Sequence, residues 1–308
     1  MRKSTILLTT ASALALTGAV VWQLRPQPSP SPAAAHSTSS STRLVRLHDR
    51  EAALAERLKV AREISDDLTN EELRQLMATL ARPLDQRTAE KDLMAFNEIM
   101  EQLRVSGMAC GEYATALCSL IREEKTHPVV RDYAMQHAVQ WIREAKSGHS
   151  LARISEDDRR NLLSCIVSYL QVPTSLHETG YGTALNLIRT LANEYPADAA
   201  EIFALCAPRI SAVASGQESG PLGNRISAIQ SLPALPDREQ ALTLVRNLTT
   251  DTPGGSPVRL VAIATLGLLG EESDLATLRR IQTENSDFSY AARAAAARLT
   301  ANIYSTTR

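Results

Sequence analysis

The sequence predicts an all-α fold of stacked antiparallel helix pairs, an α-solenoid. Three observations carry that prediction. From Arg43 onward, apolar residues recur at helical spacing and no segment alternates with the period of a strand. Aromatic residues make up 4% of the chain and apolar residues 44%. Alanine and leucine therefore fill the core, which suits helices better than strands, whose packing leans on β-branched and aromatic side chains. Finally, Arg225, Arg259 and Arg293 stand 34 residues apart, each opening a small-residue helix pattern with an alanine three positions on (Ala228, Ala262, Ala296). Self-similarity at a fixed period marks stacked helical units.

The elements follow in order. Arg2 and Lys3 precede an uncharged run from Ser4 to Leu24 that ends at Arg25. A short basic region before an apolar stretch is an export signal. Residues 1–24 fit two readings. One is a cleaved signal peptide with a small-residue site at Thr17, Gly18 and Ala19. The other is an uncleaved anchor, since about 20 residues cross a bilayer and Trp22 suits the interface. Either way the positive-inside bias places the rest of the chain outside the cytoplasm, in the periplasm or envelope. Membrane contact is expected only through residues 4–24, if they are retained. Residues 25–42 are rich in Pro, Ser and Thr and read as a disordered linker.

Residues 43–220 read as irregular helical repeats. A helix from Arg43 to Ile64 lines up Leu44, Leu47, Leu54, Leu58 and Ala61 on one stripe. Thr69 with Glu72 three residues on is a capping box. The helix it opens turns Leu73, Leu76, Met77 and Leu80 inward and ends at Pro83. Leu93, Phe96, Met100 and Leu103 form the next buried stripe, between Thr88 and Arg104. Tyr113, Leu117, Leu120 and Ile121 form another, between Met108 and Lys125. Pro128 fits the first position of a helix, where its missing N–H costs nothing. Ser155 opens a further helix that Pro173 closes, and a long pair spans Glu178 to Glu194 and Ala197 to Ala214.

Residues 221–308 read as regular repeats of about 34 residues. In the middle unit Ser256 is placed as N-cap and Pro257 at the first helical position. Ala262, Ile263, Leu266 and Leu269 form its packing face. Gly267 and Gly270 allow close approach or end the helix. Leu275, Leu278 and Ile281 serve its second helix, and Leu242, Val245 and Leu248 serve the preceding unit.

The segment "PVRLVAIATLGLLG" resembles the first helix of a HEAT-like repeat of the phycobilisome-lyase type, whose signature reads V-R-x-x-A-x-x-x-L-G-x-L-G. Val258, Arg259, Ala262, Leu266, Gly267, Leu269 and Gly270 match it. "PVVRDYAMQHAVQWI" resembles it more loosely through Val130, Arg131 and Ala134. The resemblance implies an α-solenoid, and such arrays usually serve as concave surfaces for proteins or peptides. Some members are bilin lyases or an iron hydroxylase. The hydroxylase needs paired His-Glu dipeptides, and this sequence has one, at His177 and Glu178.

Several chemistries are excluded at this level. The net charge of −1 supplies no field for nucleic acid. There is no Walker A loop, no GxSxG and no cysteine–histidine nucleophile pattern. No catalytic, cofactor-binding or metal-ligating residues are assigned. The four cysteines, Cys110, Cys118, Cys165 and Cys206, show no zinc spacing. Cys110 and Cys118 are the closest pair, and eight residues of helix span about 12 Å, too far for a bridge. The even count and the exported reading leave a disulfide open, with Cys110 and Cys118 able to pair only if Gly111 breaks the helix between them, and the cysteines are expected instead as small core residues.

Arg131, Arg225, Arg259 and Arg293 form a candidate ladder, each expected to bond a carbonyl or carboxylate of a neighbouring unit, or else to offer an anionic-ligand surface. The function expected is that of a non-enzymatic scaffold binding a protein or peptide outside the cytoplasm, with no cofactor. The alternative is an accessory factor or lyase-like enzyme of cell-envelope metabolism.

Overall fold

The computed structural model describes residues 45–47, 49, 52–64, 69–81, 90–105, 111–147, 153–250, 255–284 and 287–306. The hydrophobic segment 1–24 and the linker 25–42 lie outside the described residues. All regular structure in the described residues is helical. The α-helices are α1 (Leu54–Ile64), α2 (Asn70–Leu80), α3 (Glu90–Val105), α4 (Gly111–Arg122), α5 (Pro128–Lys146), α6 (Glu156–Gln171) and α7 (Gly180–Leu191). After them come α8 (Pro196–Ser215), α9 (Leu222–Ser231), α10 (Arg238–Thr250), α11 (Gly255–Leu269), α12 (Asp274–Thr283) and α13 (Ser289–Thr306). None of them is long and apolar enough to cross a membrane.

Local chemistry starts and stops these helices. The capping box at α2 is complete: the Glu72 N–H donates to the Thr69 hydroxyl, and the Thr69 N–H donates to the Glu72 carboxylate. Such a cap contributes about 1 kcal/mol. Ser155 caps α6 by accepting from the Asp158 N–H. Pro128 opens α5, with His127 Nδ1 accepting from Val129 N–H. At the end of α8, Gly216 takes φ 87°, a left-handed conformation that favours glycine.

The predicted helix from Arg43 to Ile64 is not continuous. Val45–Leu47 is helical, Asp49, Ala52 and Ala53 are not, and α1 begins at Leu54. Arg57 holds the two pieces against α3, donating from Nε to the Leu47 carbonyl and from Nη1 to Asp92. The start of α11 also shifts, from Pro257 to Gly255.

The helices pack in two rows. The odd-numbered helices touch in sequence: α1 on α3, α3 on α5, α5 on α7, α7 on α9, α9 on α11 and α11 on α13. The even-numbered helices do the same from α2 through α4, α6 and α8 to α10. Each row buries one side against the other, so the apolar stripes fuse into one core running from Leu47 to Leu299. The predicted inward residues of α3, α4, α10 and α12 lie in or against that core.

Close approach is purchased with small residues where α11 meets α13. A Cβ on Gly267 would stand 2.7 Å from the Ala295 Cα. A side chain there would therefore force the two helices apart.

Candidate functional site

The ladder arginines all lie on odd-numbered helices, each in the first turn or the one after. Arg131 donates to the Glu123 and Thr126 carbonyls, just beyond the end of α4, and pairs with Glu178. Its guanidinium stands 5.8 Å from the Tyr169 ring centroid, and the Tyr169 hydroxyl donates to Glu178. Arg225 donates to the Ala214 and Ser215 carbonyls at the end of α8. Arg259 donates to the Thr249 carbonyl of α10 and to Glu284, and lies over Phe288. Arg225 and Arg259 therefore satisfy carbonyls in the last turn of the preceding even helix, where the negative pole of the helix dipole favours a cation, and Arg131 satisfies carbonyls just past that end. Arg293 differs. It is exposed and has no hydrogen bond or ion pair to another described residue.

α7 carries no ladder arginine, and a different contact ties it to α9 through Gly182. Asn224 of α9 makes that contact: its side-chain oxygen accepts from Gly182 N–H, and its amide donates to the Leu176 and Glu178 carbonyls. A Cβ on Gly182 would meet that oxygen at 2.9 Å. The departure from the arginine pattern thus coincides with a different tie between neighbouring helices.

A second cluster is buried between α3 and α5. Arg104, almost wholly buried, pairs with Glu101 and Glu144. His137 stands 3.6 Å from Glu101 and 3.0 Å from the Asn97 side-chain oxygen. Burial, aided by the Arg104 charge and opposed by the Asn97 hydrogen bond, pushes the His137 pKa down to about 3. The distance to Glu101 by itself suggests an ion pair. The neutral imidazole is preferred, because Arg104 already engages Glu101 at 2.6 Å. The Tyr113 hydroxyl donates to the Met100 carbonyl, and its pKa is raised by burial. Sequence reasoning missed this cluster, whose members come together only across the helix pair.

The cysteines correct an expectation. Cys118 of α4 and Cys165 of α6 form a disulfide, with Cα atoms 5.7 Å apart. Proximity in sequence was the misleading signal: the bond spans 47 residues and follows from the packing of α4 on α6. Cys206 of α8 is a free, buried thiol whose pKa burial raises to about 11. That environment makes it an inert core residue.

Shallow clefts open on the surface of the described residues, two of them beside arginines. One, of about 350 Å³, lies between the end of α5, the start of α6 and Tyr195. Tyr195 is flanked by Lys146 and Arg159, at 4.3 and 5.2 Å from its centroid. Arg159 is already paired with Glu156 and Asp198, and Arg143 with Glu194. The other cleft, at Pro173, Pro208 and Arg209, is similar: Arg209 is spent on the Leu170 and Pro173 carbonyls and on Glu218. Neither cleft is lined by the buried Arg104 cluster. No group of three or more His, Cys, Asp or Glu residues is placed to hold a metal, among the described residues.

The even row presents a different kind of surface. α6 is flanked by α4 and α8 and backed by odd helices, so its exposed residues point away from the core. Thr115 and Ser119 of α4 are exposed, as are Asn161, Ser164 and Ser168 of α6, and Ala204, Leu205 and Pro208 of α8. These are short, uncharged side chains around one prominent leucine, 54% exposed, and the exposed charges of Glu112, Arg122, Asp157, Arg160 and Glu201 border them on the same helices. Pro208 lies inside α8 and has no N–H to donate to the Ala204 carbonyl one turn back. Comparison with protein families, with curated proteins and with solved structures finds no match.

Proposed function

We propose that this chain is a scaffold: a HEAT-like α-solenoid that works outside the cytoplasm and binds a protein or peptide on its even row of helices. The single observation that carries the reading is the uncharged band across the middle of α4, α6 and α8, between the exposed charges of Glu112, Arg122, Asp157, Arg160 and Glu201. Its Thr, Ser and Asn side chains give hydrogen-bonding groups with little desolvation cost, and Leu205 gives an apolar anchor. The two-row packing supports the solenoid reading, since each helix pair buries its apolar face against the next. The likeness of α11 to the HEAT-like signature supports the repeat type.

The arginines at 131, 225 and 259 support a structural ladder in which cations cap helix ends. Charge-assisted bonds of this kind contribute about 1.5–3 kcal/mol each, which offsets the cost of drawing a guanidinium out of water. The Cys118–Cys165 disulfide supports the export reading, because such bonds persist in oxidising compartments. The chemistry of the clefts favours no enzymatic reading, since the carboxylates that line them, Glu156 and Glu218, are both paired with arginines.

The test is a photocrosslinking residue placed at Ser164 or Leu205, with Gln136 of the odd row as comparison. One discrete adduct from the even-row positions and none from Gln136 is expected. Equal labelling from both rows sinks the proposal.

A further inference from the structure

We infer that the outward face of α13 is a docking seam for an acidic amphipathic helix of another protein. α13 packs on α11 and α12 through one side, where Ala292, Ala295 and Leu299 are buried. On the other side Tyr290, Ala294, Ala297, Ala301 and Tyr304 are all exposed. Their spacings are 4, 3, 4 and 3, the inner register of a coiled coil. Tyr290 and Tyr304 are the most exposed large apolar side chains among the described residues, at 79% and 70%. The seam thus has an aromatic anchor at each end and a low central floor. Alanines there let a second helix approach closely, and larger knobs on that helix fill the space between the tyrosines.

Charge selects the occupant. Arg293 and Arg298 are exposed beside the seam, and α13 contains no acidic residue. Arg293 is also the ladder position that leaves its role: its counterparts on α5, α9 and α11 bond carbonyls at or just beyond the end of the preceding even helix, and it has no such bond among the described residues. A second copy is the poorer occupant, since an isologous pairing brings arginine-bearing flanks together. A lipid surface is poorer as well. Alanine buries little area, and a helix that inserts into the interface relies on Trp, Phe or Leu on its apolar face. An acidic helix satisfies both the register and the charge.

The measurement is fluorescence anisotropy with the purified full chain and two labelled synthetic helices. Both carry leucine at the inward heptad positions, one flanked by glutamate and its twin by lysine. The glutamate helix is expected to bind in about the micromolar range. Its binding should weaken about tenfold at high salt and about tenfold in an Arg293→Glu, Arg298→Glu chain, and the lysine twin should bind at least about tenfold more weakly. Circular dichroism checks that the exposed-site variant stays folded. Four results overturn the proposal: no binding of the glutamate helix, equal binding of the two helices, full binding by the double variant, or sedimentation as a dimer that Tyr304→Asp dissolves. Preferential binding to phosphatidylglycerol vesicles over the glutamate helix also overturns it. The seam is separate from the even-row face, so failure here leaves the crosslinking result at Ser164 unaffected.

Discussion

His137 shows how a single residue couples the fold to pH. It is held neutral between α3 and α5, facing Asn97, Glu101 and Arg104. Its pKa in the folded chain, about 3, lies below the ordinary 6.5. Between those values the unfolded chain binds a proton that the folded chain does not. Stability therefore falls as pH falls through that window, by up to about 1.4 kcal/mol per pH unit. His137→Gln removes the titration, and urea unfolding across that range is expected to show a shallower acid-side decline. An unchanged slope would remove His137 from the account. Asn224 is the corresponding example in the backbone: one amide satisfies a glycine N–H and two carbonyls, and so ties α7 to α9.

At the scale of the helix, spacing does most of the work. The stripes on α3, α4, α10 and α12 reach the core because residues three and four apart share a face. The same rule makes α11 and α13 a close pair, and Gly267 tests it. An added Cβ would meet Ala295 backbone atoms at 2.7–2.8 Å, which a side-chain rotation does not relieve. Overpacking of this kind costs about 1–3 kcal/mol, which outweighs alanine's helix-propensity gain of about 1 kcal/mol. Gly267→Ala is expected to lower the melting temperature. A melting temperature at or above that of the parent would show that α11 and α13 are free to separate. The break between Leu47 and Leu54 is the converse case. A continuous stripe exists there, and Arg57 satisfying Leu47 and Asp92 accompanies two separate pieces.

For the whole molecule, the two-row packing means that most helices depend on near neighbours. The disulfide is the clearest probe of this, because it joins α4 to α6 in the middle of the even row. Replacing Cys118 and Cys165 by serine is expected to cost roughly 2–4 kcal/mol. In hydrogen exchange the loss of protection should concentrate in α4 to α7 and leave α11 to α13 close to the parent. Uniform loss through α13 would instead mean that the chain opens as a single cooperative unit.

What the sequence determined by itself is local. Helix type, inward faces, the Thr69–Glu72 cap and the recurrence of Arg225 and Arg259 are written in periods of three to four residues and of about 34. All of these rest on interactions within a turn or between adjacent units. What only the tertiary structure decided is long in sequence and short in space. Cys118 meets Cys165 across 47 residues, Arg104 gathers Glu101, Glu144 and His137 from two helices, and Arg293 alone among the ladder positions is left facing outward. The uncharged band across the middle of α4, α6 and α8 belongs to the same class. Thr115, Ser164 and Leu205 are unremarkable on their own helices and become one surface only when those helices stand side by side. The physical reason is that periodicity tells which side of a helix is buried, whereas the identity of the neighbour that buries it depends on packing.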